Sequence, residues 1–271
     1  QEYQPQLSEA ARLLREAASL SADPTLVAFL SKRADALLSD DYYQSDVAWM
    51  ELDSAVEPTI GPYETYQDGW FSMKAAFEAV LCVRDDAETR KLARLSGELQ
   101  EIEDHLPVDG AWKRTLGALA PIRVVNQVLA AGFASRGVTV AAFNLPNDER
   151  VVAEKGSKRV MLRNVQEAKF QKVLQPIARL ALSPADRARV SFDAFFTHIL
   201  MHELVHGLGP QRVAGSDRSV REALEEASGA LEEAKADVAG LFALQRLVDR
   251  GVLPRELERT MYLTFLAAPF R

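Results

Sequence analysis

Apolar residues recur every three to four positions at the start of the chain. Residues 7–20 therefore predict an amphipathic helix, with Ser8 as its N-cap. Asp23-Pro24 has the signature of a helix start and predicts a second helix through Leu38. Residues 40–54 form a shorter, mixed segment. Two prolines and a glycine within Glu57-Pro58-Thr59-Ile60-Gly61-Pro62-Tyr63-Glu64-Thr65-Tyr66 predict a loop, packed or lining a cleft because it is rich in apolar side chains. Helix is predicted again from Trp70 to Val83, from there to about His105, and over Arg123–Phe133. The β-branched run Val138–Phe143 predicts a short strand, followed by a turn at Asn144–Glu149 and a second strand at Lys158–Leu162. From Glu167 onwards the pattern is helical almost throughout. The fold class expected is mainly α (α+β), with a minor β patch.

Composition adds bounds. The chain has 271 residues, 48% hydrophobic and 26% charged, enough for a sizeable core. A net charge of −7 argues against a nucleic-acid or anionic-membrane partner. No uninterrupted apolar run approaches the length of a membrane span. The chain begins at Gln1 and not Met, which leaves a processed N-terminus and either a cytoplasmic or an exported location open. Cys82 is the only cysteine, so an internal disulfide and a cysteine-rich zinc site are both excluded. Its apolar neighbours predict a small buried hydrophobe.

The chemistry concentrates at His202-Glu203-Leu204-Val205-His206, followed by Gly207-Leu208-Gly209-Pro210. Histidines four residues apart share one helix face, so both rings can reach one metal ion at about 2.0–2.1 Å. Glu203 follows the first histidine, where its carboxylate can sit beside a metal-bound water. The apolar run Phe195–Met201 supplies a buried helix, and the glycines stop it. With four histidines in the chain, chance gives on the order of 0.005 such strings, so coincidence is set aside. His198 stands on the same face, but roughly 12 Å from His206 along the axis, too far to share an ion. It is expected to pack or to support the site.

The third ligand must come from elsewhere. Downstream lie Glu225, Glu226, Glu232 and Glu233. A zinc-bound histidine generally gives its other ring proton to a carboxylate. Glu233 has Asp237 four residues on, on the same face, whereas the other three have glycine or alanine there. Glu233 as ligand with Asp237 orienting a histidine is the expectation, and Glu226 is its rival. Glu232 is expected to be a nearby polar partner. The segment 186–271 is then a helical zinc-binding catalytic segment, and 1–185 an N-terminal helical and mixed lobe.

His202–Pro210 together with Leu231-Glu232-Glu233-Ala234-Lys235-Ala236-Asp237 resembles the dipeptidyl peptidase III family of zinc peptidases, most of all its bacterial branch, also found fused to Nudix domains in plants. Gly61–Tyr66, Asn144–Glu149 and Gly156–Arg159 look like segments of that branch. The resemblance implies a two-lobed fold with a cleft, one Zn2+ per chain, His202, His206 and Glu233 as ligands, and Glu203 as the catalytic glutamate. It also implies a short peptide substrate from whose N-terminus dipeptides are removed. Family chains continue well past the second motif, towards a further histidine that stabilises the transition state. A cleaved or truncated protein, completed by a second polypeptide, is therefore expected.

The mechanism expected is Glu203-assisted attack of zinc-bound water on a peptide bond. Tyr63, Tyr66 and Asn144 are candidate donors to the oxyanion. Two rivals stand beside it: a zinc hydrolase acting on a non-peptide amide or small molecule, and a non-catalytic binding module stabilised by zinc. The second needs a fourth protein ligand, for which the sequence offers no well-placed cysteine or histidine.

Overall fold

The computed structural model describes residues 3–64, 75–117, 122–136 and 140–270. In chain order the first elements are α1 (Gln4–Leu20), α2 (Pro24–Ser39), α3 (Tyr43–Met50), β1 (Val56–Glu64), β2 (Ala76–Arg84), α4 (Asp86–Ser96), α5 (Leu99–Asp104), β3 (Ile122–Gly132) and β4 (Ala142–Leu145). There follow α6 (Glu149–Lys155), β5 (Lys158–Leu162), α7 (Arg163–Lys169), α8 (Gln175–Ala181), α9 (Pro184–Arg187), α10 (Phe192–Val205), α11 (Val220–Leu224), α12 (Ser228–Asp249) and α13 (Glu258–Ala267). The class is mainly α, of α+β type. Two compact units are present, residues 1–89 with 120–165 and residues 90–119 with 166–271. No helix among the described residues is long and apolar enough to cross a membrane.

The first unit holds a five-stranded sheet in the order β1-β2-β3-β5-β4. Among the described residues, only β3 and β5 run parallel. Four strands correct the sequence expectations. β4 covers Ala142–Leu145, so Asn144 and Leu145 belong to a strand and not to the expected turn, and residues 138–139 of the strand expected before it lie outside the described residues. Residues 57–64 form β1 and not a loop, because an edge strand tolerates Pro58 and Pro62. The helices expected over 70–83 and 123–133 are β2 and β3 where the chain is described. Their apolar runs suit either conformation, and what decides is pairing with each other, a long-range fact that a local period does not contain. Gly132, at φ +64°, ends β3 where a Cβ would stand 2.4 Å from the Phe77 carbonyl oxygen, so a side chain is excluded there. β5 matches its expected span.

The helices of this unit begin as local chemistry dictates, with one correction. Asp23 caps α2 by accepting from the backbone N–H groups of Thr25 and Leu26. α1 starts at Gln4 with Pro5 in its first turn, so Ser8 lies inside it and is not its cap. Phe29, Leu30, Leu37, Trp49, Val80, Val125, Val160 and Leu162 pack into one core with Cys82. Within it lies a polar knot. Arg33, wholly buried, donates to Asp46 at 2.5 Å and to the Tyr63 hydroxyl at 2.6 Å, and that hydroxyl donates to Asp46 at 3.0 Å.

The second unit is built on α10. Phe195, Phe196, Leu200, Met201, Leu204 and Val205 are all buried, so the helix is covered on nearly every side. Phe195 joins Phe170, Leu174, Ala178 and Leu182 in a second core. Arg246 on α12 grips Glu101 on α5 with a forked ion pair at 2.5–3.0 Å.

Candidate metal centre

Ser191 caps α10 and sets where its turns fall. That register puts His198, His202 and His206 in one row along the helix. Past Val205 the chain leaves the helix, and Gly209 takes φ +74°, a conformation that favours glycine. Two contacts pin this exit. The buried Glu103 carboxylate accepts from the Gly209 N–H at 2.7 Å, and the Arg114 guanidinium donates to the Gly207 carbonyl.

Helix α12 packs along the histidine row and presents Glu232, Glu233 and Asp237. His202 Nδ1 lies 2.8 Å from Asp237 Oδ1, and His206 Nδ1 lies 2.9 Å from Glu232 Oε1. A carboxylate only accepts, so both Nδ1 atoms carry the ring proton. In neutral rings both Nε2 atoms are therefore bare lone pairs. They face each other at 3.1 Å, with Glu233 Oε2 3.1 Å from His202 Nε2 and Glu233 Oε1 3.8 Å from His206 Nε2.

With both rings neutral, three acceptors converge there, and a cation among them would relieve their repulsion. The ligand atoms of His202, His206 and Glu233 all fall within 4.8 Å of one another, the one such group of three among the described residues. Tetrahedral ligands bonded at 2.0–2.1 Å stand about 3.3 Å apart, close to the separations observed. Two imidazoles and a carboxylate fit zinc by donor type as well.

Surrounding charges hold this arrangement. Burial would raise the pKa of Glu232, but hydrogen bonds from Lys235 and His206 outweigh it and keep the carboxyl below its ordinary range. Lys235 Nζ sits 2.8 Å from Glu232 Oε1 and donates to the carbonyls of Leu208 at 3.0 Å and His206 at 3.4 Å. One ammonium thus ties α12 to the chain leaving α10. A cavity of about 300 Å³ opens beside the group, lined by His198, His202, Glu203, Glu233, Asp237 and Thr264 among others.

Other residues were singled out by sequence as rivals or donors. Glu226 lies exposed in a short turn, Glu225–Ala227, outside the converging group. Tyr63 belongs to the first unit, and its hydroxyl is engaged by Arg33 and Asp46, which removes it as an oxyanion donor. Asn144 is exposed on β4 of the same unit, and Tyr66 lies outside the described residues. Two supports were missed. Lys235 could have been found from its i,i+3 spacing to Glu232, whereas Glu103 left no signal because its partner is a backbone amide 106 positions away.

Comparison with known proteins places the chain in a family. The family model described as peptidase family M49 matches residues 1–211. The chain is 65% identical to dipeptidyl-peptidase III from Corallococcus sp. strain EGB, with a TM-score of 0.76, covering 99% of this chain and 51% of that one. It is 46% identical to DPP III from Caldithrix abyssi, with a TM-score of 0.94, covering 100% of this chain and 52% of that one. Among curated relatives, a protein named Nudix hydrolase 3 from Arabidopsis thaliana is 44% identical over 99% of this chain and 35% of its own length. The chain thus spans about half of the solved relatives and about a third of that plant protein. The expected second polypeptide finds no support in these matches. The chain belongs to peptidase family M49.

Proposed function

We propose that this chain carries the zinc-binding catalytic element of a peptidase that releases dipeptides from the N-termini of short peptides. The observation that supports it most is the meeting of His202 Nε2, His206 Nε2 and a Glu233 oxygen with their ring protons already committed to Asp237 and Glu232. Those three residues would hold the ion. Zinc bound there supplies a Lewis acid that lowers the pKa of water and polarises a carbonyl. Glu203, on the wall of the adjoining cavity, accepts the proton that water loses on attacking the scissile carbonyl and returns it to the departing amine. Asp237 and Glu232 keep both rings turned with Nε2 towards the ion. The dipeptide unit is drawn from the names of the solved relatives, and peptides as substrates from family membership.

Glu203→Gln tests the reading, because it keeps the shape of the wall and removes the base. Hydrolysis of a dipeptidyl arylamide with a free N-terminus is expected to fall about 10²–10⁴-fold at unchanged zinc content. Activity retained in Glu203→Gln, or cleavage of non-peptide amides only, would overturn it.

A further inference from the structure

His198 is too far along α10 to bind the ion with His206, yet it is 9% exposed and its ring lines the cavity. Its Nε2 lies 3.0 Å from the backbone carbonyl oxygen of Asp237. A carbonyl only accepts, so that nitrogen carries the proton and the ring is held as the Nε2–H tautomer. The ring is braced by the edge-to-face contact with Phe265, 5.0 Å between centroids. Gly240, three residues beyond Asp237, makes room: a Cβ there would stand 3.3 Å from His198 Nε2 and 3.4 Å from the His202 backbone nitrogen.

Two histidines one turn apart on α10 therefore grip a single residue of α12. His198 holds the backbone of Asp237, while His202 binds its carboxylate. The Asp237 side chain is 45% exposed, so solvent competes for it and its own rotamer does not fix it in place. Anchoring its main chain supplies that constraint. We propose that His198 is a positioning residue: it sets the height of Asp237 on α12 and, through that carboxylate, the aim of His202 Nε2. The inference rests on His202 serving as a metal ligand.

The test compares His198→Phe, which keeps an aromatic ring against Phe265 but deletes the donor, with His198→Gln, which returns an N–H near the same place. Zinc affinity is read by competition with a chromophoric chelator. His198→Phe is expected to weaken binding about tenfold, the low end of what supporting residues contribute, and His198→Gln to recover most of it. In an Asp237→Asn background the same His198→Phe change should cost little further affinity, because both act through one residue. Full zinc affinity in His198→Phe with only a lowered melting temperature would overturn the proposal, as would additive losses in the double variant. Nitrogen-15 NMR of the wild type separates the two readings. An Nδ1–H tautomer at His198 overturns the contact itself, whereas an Nε2–H tautomer in a protein that takes up no zinc overturns the proposed function and leaves the contact standing.

Discussion

The Nε2 atoms of His202 and His206 face each other at 3.1 Å, and each ring has its proton on the far side, held by Asp237 or Glu232. In neutral rings two lone pairs so close repel, and a cation between them removes the repulsion. Chelation should therefore lower the melting temperature, and added zinc should restore it. With free metal at a hundredfold excess over its Kd the stabilisation is about 2.7 kcal/mol, several degrees for a chain of this size. Calorimetry before and after chelation checks this, and an unchanged transition would count against it.

Lys158 and Glu57 form an ion pair at 2.6 Å with each side chain 1% exposed. The ammonium also donates to the Trp49 carbonyl at 2.8 Å and sits 3.9 Å from the Trp49 ring centroid. Lys158→Met strands a buried carboxylate and should cost about 3–5 kcal/mol, whereas Lys158→Met with Glu57→Leu should recover most of the loss. Urea unfolding of the two variants decides it, and equal losses in both would refute the pairing argument.

Cys82 is buried in the first unit's core, and burial pushes its thiol up to about 12. The unfolded thiol titrates near 8.5, so the folded state holds its proton more tightly. That contribution to stability is complete below pH ~8.5 and is lost as pH rises towards about 12. Iodoacetamide at pH 8 should leave the native chain unmodified and label it once urea unfolds it. Rapid labelling of the folded chain would contradict this.

Glu103 supports the chain leaving the metal helix through the Gly209 N–H at 2.7 Å and the Arg114 N–H at 3.1 Å. Glu103→Ala leaves both donors without their partner inside the protein and should cost about 1–3 kcal/mol. A melting temperature within a degree of wild type would show that water replaces the carboxylate.

Legibility followed range. Asp23 capping α2, the strand at Lys158–Leu162 and the histidine row of α10 depend on neighbours a few residues apart, and the sequence displays them. So does the i+4 step that singled out Asp237 beside Glu233. β1, β2 and β3 were not legible, because their conformation is settled by strands paired across long stretches of chain. Tyr63 misled for the same reason. Its aromatic ring marked a cleft candidate, but Arg33, thirty positions earlier, draws the hydroxyl into the core. Glu103 acts on backbone atoms, which every residue carries, so no pattern of side chains announces it; His198 was legible as a member of the row, but the Asp237 carbonyl it reaches was not.

Metal content is the most direct measurement. Purified wild type, Glu226→Gln and Glu233→Gln would be exposed to zinc, dialysed and analysed by mass spectrometry of the metal. About one zinc per chain in wild type and Glu226→Gln, with loss in Glu233→Gln, is the predicted result. Zinc retained by Glu233→Gln but lost from Glu226→Gln, or none held by the wild type, would contradict the site formed by His202, His206 and Glu233.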